Sequence, residues 1–339
     1  MAFRCLALGT AIGETSLVKD SEHHTASAHR PGDRFRIRWG LAGGVALRSI
    51  AEVRDQAAWA DQAGFDSFWV SHGMAVDPIV ALAAVADVAP GLGEVGTSVV
   101  PLYGRHPLSL AQQARTAQSA WGGRFTLGVG PSHKAMVEPC LGLSWARPLG
   151  YTRDFLAGLA PLLEGQQADV DGTEIVTHAA LGIDAAPTTV LLAALGPKML
   201  QLAGQVTAGT TVGQGGPRTI ASFIRPSLDA AAEAAGRRGP LRVMALVRIC
   251  VTTDRGPAYR LAQEIGAVYK ALPSYAAVLA KEGLDEPADL FLIGSWDEVA
   301  EGLAAYAAAG TTDLRIEICA PDEASRQATR EALANHLGA

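Results

Sequence analysis

A β-rich run, a turn and an alanine-rich amphipathic segment follow one another repeatedly between Phe35 and the end of the chain. This alternation is typical of βα units, in which each helix covers the strand before it. Eight strand candidates fit it, reading FRIRWGLAG, FDSFWVS, EVGTSVVPL, RFTLGVG, TTVLLAAL, TAGTTVG, LRVMALVRICVT and TDLRIEICA. Helices are predicted over Leu47–Ala63, Pro107–Ala120, Pro148–Leu163 and Asp322–His336, and from starts near Pro78, Pro197, Pro217, Asp254 and Trp296.

The eight units predict a parallel (β/α)₈ TIM barrel, because no change of composition divides them into two halves. A chain of 339 residues with 49% hydrophobic residues and a mean hydropathy of +0.17 is large enough to bury such a core. An open doubly wound sheet would carry GxGxxG directly after its first strand, and GLAGG does not have that spacing. We therefore assign residues 35–339 to one barrel.

Two segments do not follow the alternation. The stretch QADVDGTEIVTH has two short extended pieces around an Asp171-Gly172 turn, which predicts a small hairpin insertion. Residues 1–34 begin with a short apolar patch that glycines interrupt. The polar, histidine-containing part after it indicates a disordered N-terminal extension or a start codon assigned too far upstream. His23, His24 and His29 lack a carboxylate or cysteine partner at ligand spacing, so we predict no metal site there.

Charge and cysteine content argue against several classes of protein. The net charge of −6, the pI near 5.8 and the lack of a Lys/Arg run disfavour nucleic-acid binding. Four widely spaced cysteines without a CxxC pair suggest neither a zinc site nor disulfides, which fits a reduced cytosol. No apolar run reaches the roughly 18 residues of a membrane span, and the N-terminus lacks a convincing signal-peptide cleavage site. We expect a cytoplasmic protein without nucleic-acid or membrane partners.

Polar and small residues follow the strand candidates at the ends where a TIM barrel opens. In that fold the carboxyl ends of the strands converge on one mouth, where ligands bind. Ser71 and His72 follow FDSFWV, and Thr97 and Ser98 lie in the third strand candidate. The segments GPSHK, ALGPK and VGQGG follow three later strands. We predict that these residues face the mouth.

The segment LLAALGPKMLQLAG is the clearest ligand signal. Gly196 permits close backbone approach, and Pro197 begins a helix whose free N–H groups would bind an anion. Lys198 would add a charge-assisted contact to a phosphate. A plain βα turn with a solvated Lys198 explains the same residues equally well.

His72 is the candidate for proton transfer, and a partly buried, hydrogen-bonded imidazole is the alternative interpretation. Met74 is expected to pack, His133 and Lys134 are expected to be solvated, and Glu138 lacks the partner that an acid or base requires. The motifs GxSxG, HExxH and GxxxxGKS/T are absent, and a metal barrel would need ligands on several strand ends. Metal-dependent hydrolysis is therefore disfavoured.

Five segments carry a resemblance to a known family through their order and spacing. They read AAWADQAGFDSFWV, HPLSLAQQARTAQSAWGGRFTLGVGPSH, LLAALGPKMLQLAG, LPSYAAVLAKEG and FLIGSWDEVAEGLAAYAAAGTTDL. Together they resemble the luciferase-like monooxygenase superfamily, and within it the bacterial oxidoreductases that use the deazaflavin coenzyme F420. The resemblance extends from about Phe35 to the C-terminus. It implies a (β/α)₈ barrel with an insertion, binding the deazaflavin ring in the mouth and its phosphate tail along the rim.

The resemblance also implies site residues. The third strand would carry a non-prolyl cis peptide behind the ring, and Ser98-Val99 in GTSVV occupies that place. Several relatives end the second strand in Asp-His, whereas this chain has Ser71-His72, so the histidine carries over and the carboxylate does not. The segment Ala194–Lys198 would contact the cofactor, with Ala194 and Leu195 under the ring edge and Gly196 and Pro197 beside the ribityl phosphate. The predicted catalytic residue is His72, and the predicted cofactor residues are Ser71, Thr97, Ser98, Val99, Ala194, Leu195, Gly196, Pro197 and Lys198.

The implied chemistry is hydride transfer at the ring carbon that replaces the flavin nitrogen N5. We predict that reduced F420 gives a hydride to a C=C or C=N bond of a small organic substrate, with His72 donating a proton or fixing the ring; alcohol oxidation is the reverse direction. An FMN-dependent monooxygenase of the same superfamily and a non-catalytic flavin-binding protein are the alternatives. Relatives are commonly dimers, and the alanine-rich helices near Ile79 and Ala111 would pack closely either on a second copy or on their own sheet.

Overall fold

The computed structural model describes residues 37–44 and 47–338. The predicted disordered extension over residues 1–34, with its three histidines, lies outside the described residues. The strands, in chain order, are β1 (Arg38–Ala42), β2 (Ser67–Val70), β3 (Glu94–Thr97), β4 (Val100–Pro101), β5 (Phe125–Gly130), β6 (Ala168–Asp171), β7 (Val176–Ala179), β8 (Thr189–Ala193), β9 (Gly209–Val212), β10 (Arg242–Val251), β11 (Leu292–Gly294) and β12 (Asp313–Ile318).

Helices follow most of the strands and cover the outside of the sheet. In chain order they are α1 (Ile50–Gln62), α2 (Pro78–Ala83), α3 (Pro107–Ala120), α4 (Lys134–Leu141), α5 (Pro148–Leu163), α6 (Pro197–Val206), α7 (Pro217–Thr219), α8 (Arg225–Ala234), α9 (Arg255–Lys270), α10 (Pro273–Glu282), α11 (Trp296–Ala308) and α12 (Glu323–Leu337). A π-helical turn over Ile220–Ile224 joins α7 to α8, and a 3₁₀ helix over Pro287–Leu290 precedes β11.

Eight parallel strands close into a barrel. Around it they are ordered β1, β2, β3, β5, β8, β9, β10 and β12, and β12 pairs back to β1. Strand β4 continues the third unit and pairs with β5, while β11 pairs with the carboxyl end of β10. The predicted (β/α)₈ barrel is confirmed, and each of the eight predicted strand segments contains one strand of the barrel.

Local sequence sets where the helices begin. Asp77 accepts hydrogen bonds from two backbone N–H groups in the first turn of α2, as its position before Pro78 predicts. The predicted bounds of α3 and α5 are confirmed. Helix α1 begins at Ile50 rather than at the predicted Leu47, because Ser49 is its N-cap. Helices α4 and α10 are not predicted, since neither belongs to the alternation of strands and helices from which the prediction was made.

The indole of Trp69 fills the interior of the barrel and is 1% exposed. Two glycines on the neighbouring strands make room for it. A Cβ on Gly40 would lie 2.8 Å from Trp69 Nε1, and a Cβ on Gly96 would overlap the indole and the carbonyl oxygen of Thr126. Trp69 Nε1 donates a hydrogen bond to Ser67 Oγ at 2.9 Å, so the polar edge of the buried ring is satisfied.

A cluster of charged residues lies at the amino end of the barrel, below Trp69. The Arg242 guanidinium donates to both carboxylate oxygens of Glu94 at 2.7 and 2.8 Å and to Asp313 Oδ1 at 2.8 Å. Arg38 also pairs with these two carboxylates. Burial alone would lower the pKa of Arg242, but the two carboxylates outweigh it and raise that pKa. The charged groups at this end of the barrel are therefore paired with one another.

The predicted hairpin insertion is confirmed as the antiparallel pair of β6 and β7. It lies on the barrel flank against α5, where Gly158 leaves room for the side chain of Thr177. His106, the residue before α3, places Nε2 at 3.0 Å from the carbonyl oxygen of Val176. The hairpin is therefore attached to two helices of the barrel.

Ile79 and Ala111 lie in α2 and α3, the alanine-rich helices expected to pack either on a second copy or on their own sheet. Ile79 and Ala111 are 2% and 0% exposed, so they pack on their own barrel. None of the described helices combines the length and the apolar character that crossing a bilayer requires.

We expect Gly96→Ala to destabilise the protein by about 1–3 kcal/mol, because the new Cβ has no space between Trp69 and the Thr126 carbonyl. The matched control is Gly182→Ala, whose Cβ would meet nothing within 4 Å. Urea unfolding followed by circular dichroism measures both midpoints. Equal midpoints for the two variants would show that the barrel interior is not packed tightly around Trp69.

Candidate active site

A cavity of about 900 Å³ opens at the carboxyl ends of the barrel strands. Its described lining comes from the ends of β1, β2, β8, β9, β10 and β12, from the segments after β3 and β5, and from helices α1, α4, α9, α10 and α12. The volume is within the range of small-molecule sites, which is about 300–1,000 Å³. This cavity is at the mouth predicted for the barrel.

Ser71 and His72 line the cavity, which explains why polar residues end an otherwise apolar strand. Ser71 Oγ donates a hydrogen bond to the carbonyl oxygen of Ser98 at 2.8 Å. The His72 backbone N–H donates to the carbonyl oxygen of Val99 at 3.3 Å. Two hydrogen bonds therefore hold the end of β2 against the segment that follows β3.

The peptide bond between Ser98 and Val99 is cis, as predicted from the resemblance. Both residues line the cavity. Ser98 Oγ lies 3.1 Å from Thr211 Oγ1 on β9, so the hydroxyl is positioned by a strand on another side of the barrel. The cis segment is bonded to β2 and β9 at the same time.

Thr97 does not reach the cavity. Its side chain is fully buried, and its Oγ1 donates to the carbonyl oxygen of Gly128 at 2.8 Å and accepts from the Gly128 N–H at 3.0 Å. Through these bonds Thr97 joins β3 to β5 directly before the cis peptide. Its side chain supports the cavity wall from behind.

The segment Ala194–Lys198 lies at the end of β8 and the start of α6, next to the cavity residue Ala193. Ala194 is buried, Leu195 is half-buried, and Gly196, Pro197 and Lys198 are exposed. None of these five residues belongs to the lining of the cavity. Gly196 is the N-cap of α6, and a Cβ there would meet nothing within 4 Å, so the space beside this backbone is open.

His72 lies in a mixed electrostatic environment. Burial is the main cause that lowers the pKa of its imidazole below the ordinary value for histidine, and the positive charge of Arg105 lowers it further. Asp77 opposes this shift, although its carboxylate is itself paired with Arg105 at 3.1 Å. The imidazole is therefore mostly neutral at neutral pH.

Arg315 on β12 is a cavity residue that the sequence analysis missed. Its Nη1 donates to the carbonyl oxygen of Ser98 at 2.7 Å and to Ser71 Oγ at 3.2 Å. The residue is 4% exposed, and burial lowers its pKa to about 10. The alternation in DLRIEI could have predicted this position. Asp313, Arg315 and Glu317 are two residues apart on a buried strand, so their side chains share one face and point into the barrel.

A second arginine, Arg248 on β10, lines the cavity in a different way. Its Nε donates to Glu317 at 2.7 Å, and its Nη2 donates to the Tyr269 hydroxyl at 3.2 Å. The guanidinium also lies over the Tyr269 ring, 5.3 Å from the centroid. Arg248 is therefore a cation whose charge is paired with Glu317 and whose position is fixed by Tyr269.

Two expectations about neighbouring residues are wrong. His133 is not simply solvated: it lines the cavity with its ring 5.6 Å from that of Tyr275, and burial lowers its pKa. Only Lys134 of that pair is exposed, at 3.7 Å from Glu138. Met74 does not pack, since it is 89% exposed. Both errors arise because a loop residue's surroundings are set by elements distant in sequence.

Within the described ranges, no three His, Cys, Asp or Glu side chains are grouped as metal ligands would be.

Sequence comparison places the chain among redox enzymes. The 5,10-methylenetetrahydromethanopterin reductase of Methanolobus tindarius is 27% identical over 241 residues, which cover 70% of this chain and 73% of that protein. The F420-dependent glucose-6-phosphate dehydrogenase of Nakamurella multipartita is 30% identical over 237 residues, covering 65% of this chain and 69% of the dehydrogenase.

Solved structures share the fold. The coenzyme F420 dependent tetrahydromethanopterin reductase from Methanopyrus kandleri superposes with a TM-score of 0.73 at 20% identity. The match covers 88% of this chain and 96% of the reductase chain. The oxygenating constituent of 3,6-diketocamphane monooxygenase from Pseudomonas putida, in complex with FMN, has a TM-score of 0.70 at 18% identity, covering 89% and 98%. The family model described as luciferase-like monooxygenase matches residues 23–313, which is most of the chain. The protein therefore belongs to the luciferase-like monooxygenase family, as the five sequence segments predict.

Proposed function

We propose that this protein is an oxidoreductase that binds coenzyme F420 and transfers a hydride between the reduced deazaflavin and a small organic substrate, reducing a C=C or C=N bond. The observation that carries the proposal is the meeting of Ser71, His72 and the cis Ser98-Val99 segment in one cavity at the barrel mouth. The names of its relatives support F420 as the cofactor, since two of the proteins compared above are F420-dependent enzymes.

The residues present fit a flat ring system with a phosphate tail. The lining includes apolar residues such as Leu41, Leu246 and Ile265, on which a ring would pack. Gly213 and Gly43 expose backbone in the same lining. Ser71, Ser98 and Val99 would hold the ring.

The phosphate tail would extend outside the cavity to the start of α6. There Gly196 has open space beside it, and the first N–H groups of the helix have no side-chain cap. Pro197 begins the helix and the exposed Lys198 would add a positive charge, while Ala194 and Leu195 connect this region to the cavity wall. Thr97 would act indirectly, by fixing β3 against β5.

When bound, F420 supplies a hydride at the ring carbon that replaces the flavin nitrogen N5. His72 would supply the proton that a C=C or C=N bond needs after accepting the hydride. Because its imidazole is mostly neutral at neutral pH, the protonated donor is a minor form and becomes more populated as the pH falls. The neutral imidazole is suited to accept a proton, which favours alcohol oxidation as the second candidate direction.

Cofactor titration tests the proposal. We expect F420 to bind the purified protein, FMN not to replace it, and reduced F420 to be consumed in the presence of enones or imines. Ala193→Trp should weaken F420 binding about tenfold or more, because filling the cavity with a large side chain costs about 1–3 kcal/mol. Fluorescence titration measures the affinity, and Ala230→Trp on the exposed side of α8 is the control. Binding of FMN alone with oxygen consumption would support the monooxygenase alternative, and F420 binding without turnover would support the non-catalytic one.

We expect His72→Gln to lower the rate of substrate reduction about 10²–10⁴-fold, as loss of a general acid does. The affinity for F420 should change little, because the backbone N–H of residue 72 still bonds Val99. Single-turnover kinetics and fluorescence titration separate the two effects. His178→Gln in the exposed hairpin is the control. A parallel loss of F420 affinity would assign His72 to holding the ring.

The His72 pKa gives a pH prediction. The reduction rate should fall as the pH rises through this pKa, since the protonated donor disappears. Arg105→Gln should raise the pKa and shift the profile to higher pH, because a positive charge near the imidazole is removed. NMR titration of the imidazole resonances measures the His72 pKa. His178 is the internal reference, and hydrogen bonds to Asp169 and Asp171 raise its pKa. An unchanged His72 pKa in Arg105→Gln would contradict this account.

A further inference from the structure

The side chain of Arg315 is a buried cation without an ionic partner. It is 4% exposed, and its hydrogen bonds go to two neutral oxygens, the Ser98 carbonyl and Ser71 Oγ. No carboxylate among residues 37–44 and 47–338 lies within ion-pair distance of it. Glu317, whose charge acts on Arg315, is already bound by Arg248 at 2.7 Å. A buried charge in this state is unfavourable unless something else neutralises it.

The free part of the Arg315 guanidinium faces the cavity. Nη1 makes both hydrogen bonds, and Nε is buried without a partner among the described residues. Nη2 makes no hydrogen bond to the described residues either. Unlike Nε, however, it is not fully buried. Since Arg315 lines the cavity, Nη2 is the edge that a ligand reaches.

Arginines outnumber carboxylates in the described lining of the cavity. Of its described lining residues, four are arginines and one is a glutamate, although the whole chain has a net charge of −6. On α12, Arg326 is exposed and Arg330 is half-buried, whereas Arg315 lies at the depth of Ser71 and Ser98. An anion is therefore attracted at the rim and can be neutralised inside, beside the residue proposed to transfer the proton.

We propose that the substrate carries a carboxylate, or an anionic group of similar planar shape, which pairs with Arg315 in the cavity and places the reacting bond near His72. This inference rests on the proposed function for the existence of an organic substrate, and it adds that substrate's chemical class. Because Nη1 is occupied and Nε is sealed, Nη2 would donate to a carboxylate oxygen, and the negative charge of that oxygen makes the contact stronger than one to a neutral oxygen. Apolar lining residues that the ring leaves uncovered would hold the rest of the molecule.

The test compares carboxylates with their neutral amides. Isothermal titration of the full chain uses acrylate and trans-cinnamate against acrylamide and cinnamamide, first without a cofactor and then with F420 present. We expect at least one carboxylate to bind about tenfold to a hundredfold tighter than its amide, as a charge-assisted contact to a buried guanidinium predicts. Arg315→Met should abolish the difference, because its side chain is long but uncharged.

Two further variants separate a binding role from a structural one. Ser71→Asp keeps Arg315 and gives it a carboxylate within the protein, so the preference for carboxylate over amide should also be lost while the fold is retained. Arg54→Met removes one exposed charge outside the cavity and should leave the preference unchanged within about twofold. Circular dichroism and melting curves establish that each variant is folded.

Three results would overturn the proposal. The first is equal binding of carboxylates and amides by the native protein, or no binding of either carboxylate. The second is a preference that persists in Arg315→Met or in a folded Ser71→Asp variant. The third is loss of the preference when F420 is bound, which would assign the anion to the cofactor. Failure of the proposed cofactor is distinguishable from these results. In that case the cofactor-free titration still shows the carboxylate preference, and only the F420 titration is negative.

Discussion

The position of Trp69 on the barrel axis separates the two ends of the molecule. Its indole fills the space between strands only because Gly40 and Gly96 have no side chains. Below it, Arg242 and Arg38 neutralise Glu94 and Asp313. Above it, the barrel is open. The amino end is closed by the Trp69 indole and by these paired charges, and the cavity forms at the carboxyl end.

Around the cis peptide, the carboxyl end is joined by a small hydrogen-bond network. The Ser98 carbonyl accepts from Ser71 Oγ and from Arg315 Nη1, and Ser98 Oγ contacts Thr211. Four strands therefore meet at one residue beside the cis peptide. The network fixes the cavity wall, and it leaves one edge of the Arg315 guanidinium free. The same residue thus supports the wall and provides a charge for a ligand.

Much of the fold follows from local pattern. The βα alternation predicts the eight strands, and Asp77, Pro107, Pro148 and Pro197 predict helix starts, because capping and proline geometry depend on neighbours in sequence. The cis bond and the cavity position of His72 are also predicted, the first from the resemblance and the second from the end of an apolar strand. Errors concern residues whose surroundings come from distant segments. Met74 is exposed, and His133 meets Tyr275 from another part of the chain.

The candidate site likewise combines residues that the sequence predicts with residues that only the fold brings together. The sequence by itself determined the barrel, its hairpin and a polar mouth containing Ser71, His72 and Ser98, since strand periodicity and strand ends are local properties. The family resemblance added Val99 and the cis bond. Only the tertiary structure decided that Thr97 faces away from the mouth, that Ala194–Lys198 lie outside the cavity, and that Arg315 reaches Ser71. The physical reason is barrel closure: β12 pairs with β1, and this brings a charge near the C-terminus beside a serine 244 positions earlier.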